Sequence, residues 1–232
     1  MDEIVGKVLE FAAKGSPRFI TYLNAHCLNV SFNDREYKKI LKSADLVYAG
    51  GQGIVWASRF LGRPLPERVN ILDFFDKLAG QLIDRKISIY LLGGEKNIVK
   101  NTEVVLRKKG LDVLGARDGF FTKDEEAGVI KEINALSPDI LMVGMGVPRQ
   151  EKWIYSHLNE LDIGLCWAVG AAFEWISGYR KRAPQWMIKL GLEWLHRLYQ
   201  QPGKLCSRYV LGNFVFIYHV LSLKFRGGKA YG

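Results

Sequence analysis

Short apolar segments alternate with amphipathic segments along the first 178 residues of the chain. Several of the apolar segments are continuous, which is typical of strands that are buried on both faces of a sheet. The pattern predicts strands at residues 18–23, 45–48, 87–92, 111–115, 139–144 and 163–169. It predicts helices between them at residues 34–43, 52–61, 70–85, 96–109, 123–136 and 149–160. This alternation predicts an α/β fold with a Rossmann-like, doubly wound and mostly parallel sheet.

Glycines follow several of the predicted strands, and ligands of open parallel sheets bind beyond the carboxyl ends of the strands. The stretch YLLGGEKN (residues 90–97) has the order strand, glycine pair, helix, which directs backbone N–H groups towards an anion. Two interpretations stay open for Gly93 and Gly94, namely phosphate binding and an ordinary tight connection. The pair is not part of a G-x-G-x-x-G motif, and the chain has no G-x-x-x-x-G-K-[ST] motif, which argues against a P-loop.

The stretch DILMVGMGVPRQEKWI (residues 139–154) is more specific. A buried strand runs into Gly144 and Gly146, and a dense polar cluster that includes Gln150 and Glu151 follows. Hydrogen-bond donors in this position suit a nucleotide or a sugar diphosphate. The alternative is an ordinary helix N-terminus with charged surface residues.

Two further stretches place polar side chains beside predicted core residues. PERVNILDFFDKL (residues 66–78) carries Arg68 and Asp73, and TYLNAHCLN (residues 21–29) carries Asn24 and His26. These side chains could line the crevice at the ends of the strands. The alternatives are a capping or ion-paired aspartate and a structural histidine.

The sequence becomes basic, aromatic and amphipathic after residue 178, which predicts a body (1–178) and a C-terminal appendage (179–232). Within the appendage, Pro184 is expected near a helix start, and Pro202 with the glycine after it is expected to stop the helix. The apolar stretch at 209–223 has 15 residues, whereas a spanning helix needs about 20. The appendage therefore fits a protein that lies on a membrane surface, unless its apolar face packs on the body.

The formal net charge of +9 comes entirely from the appendage. Residues 1–178 contain 23 basic and 23 acidic side chains, whereas residues 179–232 contain ten basic side chains and one acid, Glu193. This asymmetry predicts an anionic partner such as a membrane surface, a nucleic acid or a phosphate-bearing substrate. We expect no nucleic-acid partner, because no reader motif is present and the cations alternate with bulky apolar residues. The scattered cysteines and histidines have no metal-ligand spacing, so we predict reduced thiols and no metal site.

Together these stretches resemble the WecG/TagA/CpsF family of glycosyltransferases. The resemblance runs from about residue 18 to residue 212, over an ordered set of motifs: TYLNAH, ERVNILDFF, ARDGFF, VGMGVPRQEKWI, VGAAFEWISGYRKRAP and GLEWLHRLYQQP. Members transfer a sugar, typically N-acetylmannosamine, from a UDP donor to a polyprenyl-diphosphate-linked sugar at the cytoplasmic face of the membrane. Their products include teichoic acid linkers and enterobacterial common antigen. The resemblance implies an inverting, metal-independent transferase that is peripheral to the membrane and uses UDP-sugar as co-substrate, without a cofactor; homo-oligomerisation stays open.

By comparison with the family, Asn24, Arg68 and Gln150 fall on crevice positions, and the loop residues described above complete the set of predicted roles. Catalytic roles fall on Asp73, Arg68 and Gln150. Donor or nucleotide binding falls on Asn24, Gly51, Gln52, Gly93, Gly94, Gly144, Gly146 and Glu151. Acceptor diphosphate binding falls on Arg197, Lys204 and Arg208, which match cations of the family's appendage and are expected to close over the site.

The chain departs from the family pattern in the stretch AGGQGIVW (residues 49–56). The family usually has an aspartate, the favoured general base, before the G-x-G of this loop, and this chain has Gly50 there. An inverting transfer needs a base that takes the proton of the acceptor hydroxyl. Another carboxylate could act, with Asp73 preferred and Glu151 second, or catalysis could rely on cations that stabilise the leaving group. A third explanation is a chain that binds nucleotide sugar as a sensor or scaffold with little transfer activity.

Overall fold

The described residues form one six-stranded sheet flanked by helices, which confirms the predicted α/β fold. The structure is a computed structural model that describes residues 1–13 and 15–226. The strands are β1 (Arg18–Leu23), β2 (Leu46–Ala49), β3 (Ser88–Gly93), β4 (Asp112–Arg117), β5 (Ile140–Gly144) and β6 (Leu165–Ala168). Each strand begins and ends within two residues of its predicted bounds.

The sheet is parallel and has the strand order β2-β1-β6-β5-β3-β4. Parallel neighbours need crossover connections, and the helices between consecutive strands supply them. At the carboxyl ends of β3 and β5, Gly93 lies opposite Gly144 in the register of the two strands. The strands near the middle of the sheet are buried along their whole length, in agreement with their continuous apolar sequences.

The helices include all those predicted between the strands and several others. They are α1 (Asp2–Phe11), α2 (Ala25–Asn33), α3 (Arg35–Ser43), α4 (Gln52–Phe60), α5 (Ile71–Asp84), α6 (Lys96–Lys108), α7 (Lys123–Leu136), α8 (Arg149–His157), α9 (Ala172–Ile176), α10 (Gln185–Lys189), α11 (Glu193–Gln200) and α12 (Pro202–Arg226). Helix α2 is absent from the sequence prediction. It begins after Asn24, whose Oδ1 accepts a hydrogen bond from the backbone N–H of Cys27 at 3.0 Å.

Pro202 both follows one helix and begins another. Helix α11 ends at Gln200, as the prediction of a stop requires, but a helix of 25 residues then starts at Pro202 itself. Proline is well suited to the first position of a helix, because it has no N–H that would lack a partner there. The apolar stretch at residues 209–223 is therefore the central part of a longer helix.

The described residues divide into two compact units. The first contains Met1–Thr21, Lys39–Val47 and Ile71–Lys181, and the second contains Tyr22–Lys38, Tyr48–Asn70 and the chain from Arg182 onwards. The core of the first unit includes Tyr90, Leu141, Trp153 and Cys166. The core of the second includes Ile54, Val55, Phe216 and Val220, so α12 packs its buried face against α4 and its surroundings. The boundary after residue 178 stays a prediction. The second unit contains two segments from earlier in the chain in addition to the residues from Arg182 onwards.

The close approach of β3 and β5 can be tested at Gly93. A Cβ atom on Gly93 would lie 2.4 Å from the carbonyl carbon of Gly144, and Gly93 has a φ of +130°. Gly93→Ala is therefore expected to lower the free energy of unfolding by about 3 kcal/mol or more. The control is Gly128→Ala in α7, where a Cβ meets no atom within 4 Å and alanine should raise it by about 0.5–1 kcal/mol. Urea unfolding of both variants measures the difference, and equal stabilities would contradict the packing argument.

Candidate active site

In the first unit, a buried hydrogen-bond network joins the connections that follow β5 and β6. Gln150 Oε1 accepts hydrogen bonds from the backbone N–H of Gly146 at 3.3 Å and of Gly170 at 3.1 Å. Gln150 Nε2 donates to Glu151 Oε1 at 2.8 Å, and Thr21 Oγ1 of β1 donates to the same oxygen at 3.1 Å. The network therefore fixes two loops at the rim of the sheet relative to β1.

Glu151 is a buried carboxyl group with a raised pKa. Both Gln150 and Glu151 are 0% exposed, and Glu151 Oε2 has no hydrogen-bond partner. Burial raises the pKa of Glu151 to about 7, although the hydrogen bonds from Gln150 and Thr21 act in the opposite direction. Such a pKa suits proton transfer near neutral pH. Because the group is fully buried, a substrate hydroxyl could contact it only after the surrounding side chains had moved.

The glycines at the ends of β3 and β5 are required mainly by backbone packing. Gly93 is in contact with Gly144, and the backbone N–H of Gly94 donates to the Gly144 carbonyl at 2.9 Å. The backbone N–H of Gly119 in turn donates to the Gly94 carbonyl at 3.1 Å. Gly146 is different, since it has a φ of +81° and a Cβ there would meet no atom within 4 Å. Of these glycines, Gly146 is the one beside open space that a ligand could fill.

In the second unit, Tyr22 fills the space beside Gly50. A Cβ atom on Gly50 would lie 3.0 Å from both Cβ and Cδ2 of Tyr22. The rings of Tyr22 and Tyr48, near the carboxyl ends of β1 and β2, have their centroids 6.2 Å apart. Gly51 caps the N-terminus of α4, and a Cβ there would lie 3.1 Å from Cβ of Asn24. Close packing against the end of β1 therefore accounts for Gly50 and Gly51.

Glu193 joins side chains from two separate segments of the second unit. Its Oε2 accepts a hydrogen bond from Arg68 Nη1 at 2.6 Å, and Asn70 Nδ2 lies 3.5 Å from the same oxygen. Its Oε1 lies 3.4 Å from Arg182 Nε. The side chains of Arg68 and Glu193 are 14% and 18% exposed, so this ion pair is largely shielded from water.

The three cations predicted to bind the acceptor lie on α11, which contains Arg197, and on α12, which contains Lys204 and Arg208. Arg208 is half-buried, its Nε has no hydrogen-bond partner, and its guanidinium carbon lies 6.0 Å from the centroid of the Tyr209 ring. Burial and, to a smaller extent, the charge of Arg208 lower the pKa of His26 to about 4, so His26 is neutral at pH 7. Arg197 is half-buried on α11. The side chain of Lys204 lies outside the described residues.

Comparison with known proteins decides the family. The model of the Glycosyl transferase WecG/TagA/CpsF family matches residues 1–230, almost the whole chain. The chain belongs to this family. It is therefore a glycosyltransferase, as the ordered motifs predicted, and the family match extends beyond the range over which those motifs were found.

Two relatives of this WecG/TagA/CpsF chain carry the same name, N-acetylglucosaminyldiphosphoundecaprenol N-acetyl-beta-D-mannosaminyltransferase. The protein of Bacillus subtilis (strain 168) is 31% identical over 187 residues, which cover 80% of this chain and 72% of the relative. The protein of Staphylococcus aureus (strain NCTC 8325 / PS 47) is 29% identical over 199 residues, which cover 85% of this chain and 78% of the relative.

The predicted site residues of this family member are divided between the two units. Those in the first unit are Asp73, Gly93, Gly94, Gly144, Gly146, Gln150 and Glu151. Those in the second unit are Asn24, Gly51, Gln52, Arg68, Arg197, Lys204 and Arg208. Asp73 is exposed in the first turn of α5, where a negative charge is favourable. Gln52 begins α4, and its Cγ would lie 2.9 Å from a Cβ on Gly191.

The roles assigned to these residues stay predictions. Within residues 1–13 and 15–226, no group of three or more His, Cys, Asp and Glu side chains could hold a metal ion. The structure adds three residues to which the sequence reasoning gave no role. Thr21 contacts Glu151, Tyr22 fills the space beside Gly50, and Glu193 contacts Arg68. Sequence signals existed, because Thr21 and Tyr22 begin the TYLNAH motif and Glu193 is the single acid of a segment with ten cations.

The contact between Gly50 and Tyr22 predicts the outcome of restoring an acid at position 50. Gly50→Asp is expected to lower the free energy of unfolding by about 1–3 kcal/mol, because the new Cβ meets the Tyr22 ring. In a Tyr22→Ala background the same substitution should cost less, since the contacts with the ring are gone and only the contact with the Cβ atom of residue 22 remains. Urea unfolding of the two single variants and the double variant gives the coupling. Additive effects would contradict the steric argument.

The buried carboxyl of Glu151 predicts a pH dependence of stability. Its pKa is about 7 in the folded chain and near the ordinary 4.5 when unfolded. Between these values the folded chain keeps a proton that the unfolded chain has lost, so the contribution of Glu151 to stability falls as pH rises, by about 3 kcal/mol in all. Glu151→Gln mimics the protonated group. It is therefore expected to gain stability over wild type between about pH 5 and about pH 8.

Urea unfolding of both proteins across this range measures the effect, and the difference between them cancels the contribution of other groups, such as His26. A constant difference at every pH would show that Glu151 has an ordinary pKa in the folded chain.

Proposed function

We propose that this chain transfers an N-acetylmannosamine-like sugar from a UDP donor, with inversion and without a metal ion, to a polyprenyl-diphosphate-linked sugar. The reaction would belong to the synthesis of a cell-surface polysaccharide or a teichoic acid. The observation that carries the proposal is the family match over residues 1–230, together with two relatives whose name describes transfer of N-acetylmannosamine to a polyprenyl-diphosphate-linked sugar. The acceptor class follows from those names, and the UDP donor follows from the resemblance of the motifs to the family.

The surface of α12 supports a location on the membrane. None of the described helices is both long and apolar enough to cross a bilayer. However, α12 exposes eight large apolar side chains and has no charged residue between Arg208 and Lys224. The exposed residues are Val210, Leu211, Phe214, Val215, Ile217, Tyr218, Leu221 and Phe225. An apolar helix face beside basic residues binds an anionic lipid surface, so the proposal places the protein at the cytoplasmic face of the membrane that carries its acceptor.

The proposed chemistry needs a base and a means of stabilising the diphosphate that leaves. Asp73 is the preferred base, since it is an exposed carboxylate, whereas Glu151, with a pKa raised to about 7, is buried. Arg68 is proposed to stabilise the developing charge on the leaving diphosphate. Arg197 and Arg208 are proposed to hold the diphosphate of the acceptor, because arginine binds phosphate oxygens in a defined geometry.

A second candidate function is a nucleotide-sugar sensor or scaffold with little transfer activity. The observation that favours it is the absence of an acid at Gly50, where Tyr22 fills the adjacent space. The similarity of the chain to relatives that are named as transferases favours the enzyme.

The experiment that separates the two functions follows UDP release from UDP-N-acetylmannosamine and from a panel of other UDP-sugars. The acceptors are polyprenyl-diphosphate N-acetylglucosamine in anionic vesicles and a short-chain, water-soluble analogue. Acceptor-dependent release with formation of a lengthened acceptor is expected. Release from no donor with either acceptor, while UDP-sugar still binds in calorimetry, would favour the sensor.

The same assay tests the role of α12 with a matched control. Phe214→Ser/Phe225→Ser removes two highly exposed rings, and Val104→Ser removes an exposed apolar side chain of α6 in the first unit. The α12 variant should lower vesicle binding in a flotation assay by about tenfold or more, because each buried ring contributes about 1.5–3 kcal/mol. Its activity on the water-soluble acceptor should be unchanged. Equal flotation of the two variants would contradict docking through α12.

A further inference from the structure

We propose that Glu193 is a positioning residue of the transfer reaction, which holds the Arg68 guanidinium where the leaving diphosphate of the donor develops its charge. The proposal rests on the proposed function, because it assigns Glu193 a part in that reaction. Glu193 itself would touch neither the sugar nor the phosphates. It would act through Arg68.

Glu193 lies in a strongly basic segment of the sequence. Ten cations and this single acid make up the charged residues from 179 to 232. A segment that binds anions gains nothing in affinity from a carboxylate among its cations, since like charges repel the ligand. An acid in such a segment is therefore explained best by a specific contact to a cation, and the structure contains that contact.

The two oxygens of the Glu193 carboxylate have different neighbours. Arg68 and Asn70 approach one oxygen, with the Arg68 contact at 2.6 Å, and Arg182 approaches the other oxygen at 3.4 Å. The short contact goes to Arg68, so Arg68 has the stronger of the two charged hydrogen bonds. Since a guanidinium is planar and rigid, a short bond to Nη1 restrains the position of the whole group.

The ion pair between Arg68 and Glu193 is largely buried. The Arg68 and Glu193 side chains are 14% and 18% exposed, whereas many ion pairs at the surface are freely solvated. A shielded arginine without its carboxylate would lose a charged partner in a region that water reaches poorly, and it would adopt other rotamers. A displacement of about 1 Å in a group that stabilises a transition state is enough to slow the reaction by about a hundredfold.

Glu193 could instead only anchor the C-terminal segment, because its contacts also include Arg182 from that segment. The two roles predict different couplings. A positioning role couples Glu193 to Arg68 in the rate of the reaction, whereas an anchoring role couples it equally to Arg182 and lowers stability in parallel with activity.

The experiment compares Glu193→Gln, Arg68→Ala, Arg182→Ala and the two double variants that combine Glu193→Gln with each arginine substitution. Glutamine keeps the size of the side chain and one acceptor oxygen but removes the charge. Glu193→Gln is expected to lower kcat about tenfold to a hundredfold, with little change in the KM for the acceptor and a nearly wild-type melting temperature. Glu193→Asp, which keeps the charge, should recover part of the activity.

The decisive comparison is between the double variants. Glu193→Gln/Arg68→Ala should be no slower than Arg68→Ala, because Glu193 acts only through Arg68. Glu193→Gln/Arg182→Ala should be slower than Arg182→Ala by the full factor that Glu193→Gln causes in the wild-type background. Multiplicative losses with Arg68, wild-type activity of Glu193→Gln, or losses that follow the melting temperature would each overturn the proposal.

The same variants separate this proposal from the proposed function. If the wild-type chain transfers no sugar, the function fails, and calorimetric titration with UDP then tests the positioning of Arg68 alone. Glu193→Gln and Arg68→Ala should weaken UDP binding by similar factors, and the double variant should bind no more weakly than Arg68→Ala. Unchanged UDP affinity in Glu193→Gln would overturn the proposal whether or not the wild type is an active transferase.

Discussion

The close approach of β3 and β5 at their carboxyl ends is the constraint on which the first unit depends. Gly93 and Gly144 are opposite each other in the register, and no side chain fits between them. The backbone hydrogen bonds from Gly94 to Gly144 and from Gly119 to Gly94 extend this contact across three connections. Because loops in such sheets carry the binding groups, packing the loops directly on each other leaves the rim little freedom to move.

The buried side chains of Gln150 and Glu151 connect the loops of this rim by hydrogen bonds. A glutamine side chain has two donors and one acceptor oxygen, and the acceptor serves two backbone N–H groups from different loops. The orientation of that amide is set by Glu151, which accepts from Nε2. Burying a carboxyl group is costly, and the raised pKa shows that the protein meets part of this cost by keeping the group partly protonated. The polar groups therefore position the loops, while the glycines allow the loops to approach each other closely.

The sequence predicted the sheet well because buried parallel strands have continuous apolar sequences, and all six strands lie within two residues of their predicted bounds. It did not predict α2, whose start depends on a local hydrogen bond from Cys27 to Asn24. Pro202 was interpreted as a stop because proline ends helices, yet proline also begins them, and only the following residues distinguish the two. Gly50 packs against Tyr22, which is 28 positions away in the sequence, and Glu193 pairs with Arg68, which is 125 positions away. The pattern of a single sequence does not predict contacts between residues so far apart.

These long-range contacts change how the missing acid at Gly50 is understood. Taken alone, a glycine in place of a carboxylate indicates a lost function, because a substitution to glycine removes a group and adds nothing. In the structure the space is filled by Tyr22, so the loop is packed and has no vacancy. Glu193, a carboxylate to which the sequence gave no role, contacts an arginine of the same unit in a shielded ion pair. The second unit thus holds the Arg68 guanidinium in a shielded ion pair, and a cation fixed in this way is the kind of group that would stabilise a leaving diphosphate.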